Sequence, residues 1–409
     1  MSTLAPNPAL RRSFYPWLLT ALLLVAFLLN YLDRQAIFAI FPLLQADFGL
    51  SSIQLGSLGT AFLWVYAFCN PVCGYLADRI GYKWLIVGSL LVWSGITWAT
   101  AHVSGYGSLL ATRAIMGVSE ACYLPAALAL IASTHTDRTR SRAIGIHYSG
   151  SYLGTILGGS AGGYIASVYG WRWMFAALGI GGIVYAATLA IAIRPNQTVT
   201  HSAEIPPPLR ASKSLFSKEL RSILIVFSLL SLADWAVYAW MPLYLYEHFH
   251  LSLASAGFAA TFYLKGGSIL GVLLGGYVAD RWYRKNTRAR WLTQAVALLL
   301  SAPMFFSLAR TASFPILVGC MLCFGICKGA YDCNVMPTLC EIVPANQRST
   351  AFSLVNFAGC LSGGVIAIVA GTLKNTIGLG AVFASLAVVI LAGGGILLRT
   401  ARTQPSISK

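Results

Sequence analysis

The sequence predicts an all-α integral membrane protein whose twelve transmembrane helices form two pseudo-symmetric six-helix bundles. Three observations predict it. The 409 residues are 57% hydrophobic and only 10% charged, with a mean hydropathy of +0.71, far from the balance of a soluble domain. Apolar runs of about 20 residues, the length that crosses a bilayer as a helix, start near Trp17, Leu55, Trp84, Leu109, Ala143, Trp173, Ile223, Ala254, Trp291, Pro315, Ala351 and Ala381. The halves also repeat each other. Gly74-Tyr75-Leu76-Ala77-Asp78-Arg79 returns as Gly276-Tyr277-Val278-Ala279-Asp280-Arg281, and Gly117, Glu120, Tyr123, Arg140-Ser141 and Ala143 recur at one constant offset as Gly325, Lys328, Tyr331, Arg348-Ser349 and Ala351.

The net charge of +16 raises the class of nucleic-acid binders, and its distribution removes that class. In a twelve-helix threading, nearly all loop and tail arginines and lysines, from Arg11 and Arg12 through Arg79, Lys83, Arg138, Arg194, Arg281 and Arg290 to Arg402, fall on one side. Arg172, Arg310 and Lys374 fall on the other. This is the positive-inside pattern, so both termini are expected in the cytoplasm, with the chain in a bacterial inner membrane or equivalent plasma membrane. The expected units are a bundle over 1–194, a cytoplasmic linker over 195–218 marked by Pro206-Pro207-Pro208, and a second bundle over 219–409.

The first apolar run contains Asn30-Tyr31-Leu32-Asp33-Arg34. Charged side chains at bilayer depth cost a few kcal/mol or more each, so these two should face a protein interior or a watery cavity. Further charges interrupt later runs: Arg113 and Glu120 in the fourth, Asp234 in the seventh, Lys265 in the eighth, Lys328 and Asp332 in the tenth. Arg113 and Glu120 are spaced to share one helix face, and Lys328 and Asp332 to pair directly. One reading makes all eight helix-locking ion pairs, with Arg113, Asp234 and Asp332 structural.

A functional reading follows from the chemistry. Apolar packing would serve helix locking as well as a buried ion pair does. The planar fork of Arg34 suits a carboxylate or phosphate, with Lys265 or Lys328 as a second cation. Glu120, near mid-membrane, is placed to exchange a proton, because desolvation penalises a charged carboxylate. Asp33 beside Arg34 is expected to couple the two events, its protonation freeing the arginine. Tyr31, Tyr123, Tyr331 and Asn334, with Tyr148 and Tyr152, offer hydroxyl and amide contacts to a polyol or sugar acid.

Two small-residue patterns have packing explanations. Gly150, Gly154, Gly158, Gly159, Gly162 and Gly163 give the fifth helix a face for close approach. Nine cysteines are scattered through the predicted helices, five of them in the tenth (Cys320, Cys323, Cys327, Cys333 and Cys340). With no histidine or carboxylate among these, they read as small packing residues.

Gly74 to Lys83, with its second copy, resembles the cytoplasmic loop motif of the major facilitator superfamily, and the likeness extends over nearly the whole chain. Asn30-Tyr31-Leu32-Asp33-Arg34, Trp93-Ser94 with Thr97, Arg113 with Gly117 and Glu120, Gly170-Trp171-Arg172-Trp173 with Phe175, and Trp240-Met241-Pro242-Leu243-Tyr244-Leu245 resemble the anion:cation symporter branch. The first and third also resemble the spinster-like lipid transporters. The fifth-helix glycines resemble an antiporter motif, with Gly159 in place of the usual proline.

The resemblance implies a major facilitator fold and proton or anion roles at Asp33, Arg34 and Glu120. It also implies a conformational latch at Asp78, Arg79, Asp280 and Arg281. The expected activity is secondary active transport, as proton-coupled symport of a small carboxylate or sugar acid by alternating access. Spinster-like lysolipid or amphiphile transport and proton-coupled efflux antiport are the alternatives. The expected partners are an anionic small molecule, protons or sodium, and the lipid bilayer, with the chain acting as a monomer without metal or cofactor. No glycine-rich nucleotide loop or Ser-His-Asp arrangement points to an enzyme.

Overall fold

The computed structural model describes residues 8–194, 217–344 and 347–404, and every regular element among the described residues is a helix. The first crossing is α1 (Pro8–Ala39). It breaks at Ile40, because Pro42 cannot bond the Phe38 carbonyl, and α2 (Phe41–Phe48) continues beyond it. The second and third crossings are α3 (Ser52–Ile80) and α4 (Tyr82–Thr100). The fourth consists of α5 (Tyr106–Ala121) and α6 (Tyr123–Thr134), parted at Cys122, where Pro125 cannot bond the Ala121 carbonyl. α7 (Asp137–Tyr169) and α8 (Trp171–Ala192) complete the first half.

The second half begins with α9 (Lys218–His248), capped by Ser217, whose Oγ accepts from the Leu220 N–H at 3.1 Å. α10 (Leu253–Tyr283), α11 (Ala289–Arg310) and α12 (Phe314–Ile342) follow. α13 (Arg348–Thr403) runs for 56 residues and makes two crossings, before and after a non-helical Gly378 at φ 79°. Twelve crossings place both ends on one side, here the terminal face; the other is the distal face. Among the described residues, nine helical stretches are long and apolar enough to cross, the last covering both crossings of α13. α4 and α7 cross with lower hydropathy, α7 because glycine and serine replace aliphatics on its packing faces. Of the expected linker, 195–216 lie outside the described residues.

The internal repeat goes further than the sequence motifs. Gly170 joins α7 to α8 at φ 90°, and Gly378, at the same offset that relates Gly117 to Gly325, turns α13 at φ 79°. Both turns need a left-handed residue, and glycine takes that conformation without steric cost.

The α7 glycines serve two faces rather than the one expected. Gly150, Gly154 and Gly158 sit against the Leu24, Leu28 and Leu32 carbonyls of α1, whereas Gly159 and Gly163 sit against Gly257 and Leu253 of α10 in the other half. A methyl on Gly257 would collide with the Gly159 carbonyl.

The halves meet mainly toward the distal face. Gln35 Nε2 donates to the Tyr238 carbonyl at 3.4 Å, Thr60 Oγ1 to the Gly364 carbonyl at 2.7 Å and Trp64 Nε1 to the Leu361 carbonyl at 3.1 Å. One apolar core runs across both halves on that side, joining Phe38, Phe41 and Trp171 to Tyr238 and Trp240. A second core stays mostly within the first half, around Trp93, Tyr123 and Leu130. The distal face is therefore closed, and the halves part toward the terminal face around a cavity.

Candidate functional site

The cavity has a volume of about 230 Å³ and is lined from both halves. Tyr31, Arg34, Tyr66, Leu124 and Tyr148 form one wall; Asp234, Trp235, Lys328, Asp332 and Asn356 are prominent in the other. The lining residues Leu124, Phe227 and Phe352 lie nearer the terminal face than Arg34, so the cavity runs from Arg34 in that direction.

On the first wall, Arg34 projects from near the C-terminal end of α1 toward the last turn of α5. Its Nη2 and Nε donate to Glu120 Oε2 at 2.6 and 3.2 Å, and Nη2 also donates to Asn30 Oδ1, one turn earlier, at 3.3 Å. The guanidinium lies 4.6 Å from the ring centroids of both Tyr31 and Phe62 and 5.2 Å from that of Tyr66. Both charges are buried, and Glu120 Oε1 has no hydrogen-bond partner among the described residues. An ion pair in so dry a setting is sensitive to the loss of either charge.

Asp33 does not stand beside the Arg34 guanidinium, contrary to the expected coupling by adjacency. Consecutive residues on a helix point in different directions, and Asp33 Oδ2 instead accepts from Thr97 Oγ1 of α4 at 3.0 Å. The partner whose charge holds Arg34 is Glu120. Arg113, two turns from Glu120, donates from Nη2 to Thr100 Oγ1 at 3.1 Å and lies 5.8 Å from the Phe175 ring.

On the second wall, Lys328 Nζ donates to Asp332 Oδ2 at 2.5 Å and lies 3.6 Å from Asp234 Oδ2 of α9. Asp234 Oδ1 has no hydrogen-bond partner among the described residues. Lys265 does not line the cavity; its Nζ lies 5.7 Å from the Tyr238 ring centroid.

Three expected contact residues turn elsewhere. The Tyr123 hydroxyl donates to the Leu23 carbonyl at 2.6 Å and meets His147 Nε2 at 3.2 Å, inside the first-half core. Tyr331 is buried in the core that runs across both halves. Asn334 Nδ2 donates to the Ala330 carbonyl of its own helix at 2.9 Å. In their place the cavity uses Tyr66, Trp235 and Asn356. Of these, only Asn356 carried a sequence signal, as an amide within an apolar run.

The repeated segments, expected as loops, form the last turns of α3 and α10 at the terminal face. The Asp78 side chain lies outside the described residues, and Arg79 and Arg281 are exposed. Asp280 lies 3.5 Å from Arg290, which also donates to Glu341 at 2.8 Å. Two of the cysteines are more than packing residues: Cys73 and Cys122 form a disulfide linking α3 to the break between α5 and α6. The five in α12 are free thiols, and no cluster of metal-ligating side chains occurs among the described residues.

Comparison with known proteins places this geometry in a family. The Major Facilitator Superfamily sequence pattern matches residues 23–367 and 223–409. The D-galactonate transporter of Escherichia coli O6:H1 is 23% identical, with 95% of each chain aligned. The human protein spinster homolog 1 is 32% identical over 71% of this chain and 60% of its own. A crystal structure of a bacterial homolog of the human lysosomal transporter Spinster, inward-facing and occupied, superposes with a TM-score of 0.76. It is 20% identical, covering 95% of this chain and 96% of that one. These relatives are transporters, not enzymes.

Proposed function

From the premise that the chain belongs to the major facilitator superfamily, we propose that it imports a small organic anion, a carboxylate or sugar acid, together with protons. The reading rests on one observation above all: the buried Arg34–Glu120 pair at the head of a cavity between the halves. A proton on Glu120 removes the charge that holds Arg34 and frees its fork for a carboxylate. When substrate leaves and Glu120 loses its proton to the cavity, the pair re-forms. Asp33, held by Thr97, is the second proton site. Lys328 offers a cation from the opposite wall, and Tyr31 and Tyr66 flank the bound group. The Glu120 carboxylate and the substrate carboxylate thus compete for one arginine, and a proton on Glu120 decides for the substrate, which couples their movement.

The distribution of basic residues supports a cytoplasmic terminal face. On that reading the closed distal face and the cavity opening away from it describe an inward-facing state. Sugar-acid transport by the D-galactonate relative, aligned end to end, supports the substrate class. Similarity to the sphingosine-1-phosphate transporter SPNS2 of Xenopus tropicalis, 28% identical over 84% of this chain and 70% of its own, supports a second reading, transport of an amphiphile. The cavity volume of about 230 Å³ favours the first, since it is below the ~300–1,000 Å³ of most small-molecule sites and suits a compact solute better than a long acyl chain.

Uptake into proteoliposomes under an inward proton gradient, with labelled galactonate, glucuronate, lactate and lysophospholipid, tests the reading. Accumulation of an acid against its gradient, lost in Glu120→Gln, with binding lost in Arg34→Ala, is the expected result. Movement of lysophospholipid and of no acid would transfer the assignment to the amphiphile.

A further inference from the structure

On the distal face of the second half, the C-terminal ends of α9 and α11 and the glycine break in α13 border another cavity, open to the surface and of about 500 Å³. It shares no lining residue with the cavity at Arg34. Its ionisable lining is Tyr244, Glu247, His248, Arg310 and Lys374. Glu247, the carboxylate of this lining, accepts from Lys374 Nζ at 2.7 Å, so those two charges satisfy each other. His248 stacks on Tyr244, with ring centroids 5.1 Å apart.

What is left is the Arg310 guanidinium and the Tyr244 hydroxyl. Arg310 is exposed and has no ion pair or hydrogen bond among the described residues. Tyr244 is only 7% exposed, yet its hydroxyl has no hydrogen-bond partner among the described residues, and it lines the cavity. That hydroxyl lies 3.8 Å from where a methyl on Gly380 would stand, so it reaches the start of the twelfth crossing. There Gly378 has no side chain with which to cap the helix. Leu379, Gly380 and Ala381, which line the same cavity, open a long helix whose N-terminal dipole favours negative charge.

The charge distribution isolates Arg310 further. The basic side chains of the distal face are Arg172, Arg310 and Lys374; Arg172 donates to Asp47 at 2.8 Å, and Lys374 to Glu247. Among the described residues, Arg310 alone of these three has no counter-charge. A guanidinium, a phenol hydroxyl and an uncapped helix start that line one cavity are complementary to an oxyanion.

We propose that this distal cavity is a second anion site. It takes the carboxylate or phosphate group of a small solute or of a lipid headgroup between Arg310, Tyr244 and the N-terminus of the twelfth crossing.

The test uses the full chain in phosphatidylcholine nanodiscs, with gluconate and inorganic phosphate as calorimetric probes. Arg34→Gln removes the central site, so failure of the proton-coupled reading and failure of this one are read separately. One of the probes is expected to bind saturably to Arg34→Gln. Adding Arg310→Gln should weaken it about tenfold or more, the loss of a charge-assisted hydrogen bond, and Tyr244→Phe severalfold. If Arg34→Gln is not recovered folded, native protein should bind two equivalents of probe, falling to one with Arg310→Gln.

A lipid source is read by exchanging phosphatidylcholine for phosphatidylglycerol. Loss of solute binding, together with a retained phosphatidylglycerol that Arg310→Gln releases in native mass spectra, assigns the site to a headgroup. Absence of any Arg310-dependent binding, of solute or of phosphatidylglycerol, overturns the proposal.

Discussion

The two walls of the central cavity carry the same kinds of charged group in different physical states. On the first, the Arg34 and Glu120 side chains are 8% and 0% exposed and ringed by aromatic residues. On the second, Lys328, Asp234 and Asp332 are 13%, 21% and 33% exposed. The links differ as well. Arg34 and Glu120 join two helices, whereas Lys328 and Asp332 lie one turn apart on one helix and keep their pairing through any rigid motion of it. A change of charge therefore has most leverage on the first wall, where neither water nor another ion can compensate. The second wall is a lasting, half-wet patch suited to adjusting affinity.

The largest expected effect comes from Arg34→Gln. Removing one partner of a buried pair costs about 3–5 kcal/mol, so this variant should melt well below the native protein and show no anion uptake. Arg34→Lys keeps the charge and loses the fork; uptake should recover only in small part. Native-rate uptake by Arg34→Gln would erase the distinction between the walls.

Glu120→Gln comes next. It keeps the shape and removes the charge, so a proton gradient should no longer drive accumulation, while exchange of labelled for unlabelled anion across the membrane continues. Lys328→Gln should be milder. Its KM for the anion is expected to rise about tenfold, the loss of one charged contact, with accumulation still following the proton gradient. If that gradient dependence is lost instead, coupling resides on the second wall.

Much of this arrangement was legible in the sequence, because charged residues inside apolar runs cannot be neutral features of a membrane helix. The spacing of Lys328 and Asp332 specified their pairing, since four residues make one turn. The partner of Arg34 was not legible: adjacency suggested Asp33, but side-chain direction and the approach of α5 decide for Glu120. Tyr123, Tyr331 and Asn334 sat in the right segments, and only helix rotation shows that they turn to the core or to backbone carbonyls. Trp235 and Tyr66 gave no signal, because an aromatic residue in a membrane helix looks the same whether it packs or lines a cavity. The Cys73–Cys122 disulfide joins segments far apart in sequence, with nothing local to mark it.

The smallest effect sharpens the comparison most. Asp332→Asn removes the nearer carboxylate of Lys328, but Asp234 stands 3.6 Å from the same ammonium and has an oxygen to spare. Lys328 can turn to it by a rotamer change within a partly hydrated cavity, so KM and melting temperature should move little, by less than about threefold and a few degrees. Asp234→Asn alone should be equally mild, since Asp332 remains. The double variant leaves Lys328 without a counter-charge and should lose far more than the two single effects together, the signature of shared partners in one network. The first wall has no such reserve, since the carboxylate facing the Arg34 guanidinium there is Glu120. Additive, small losses in the double variant would mean that the second-wall carboxylates act independently, and that its difference from the first wall is one of exposure alone.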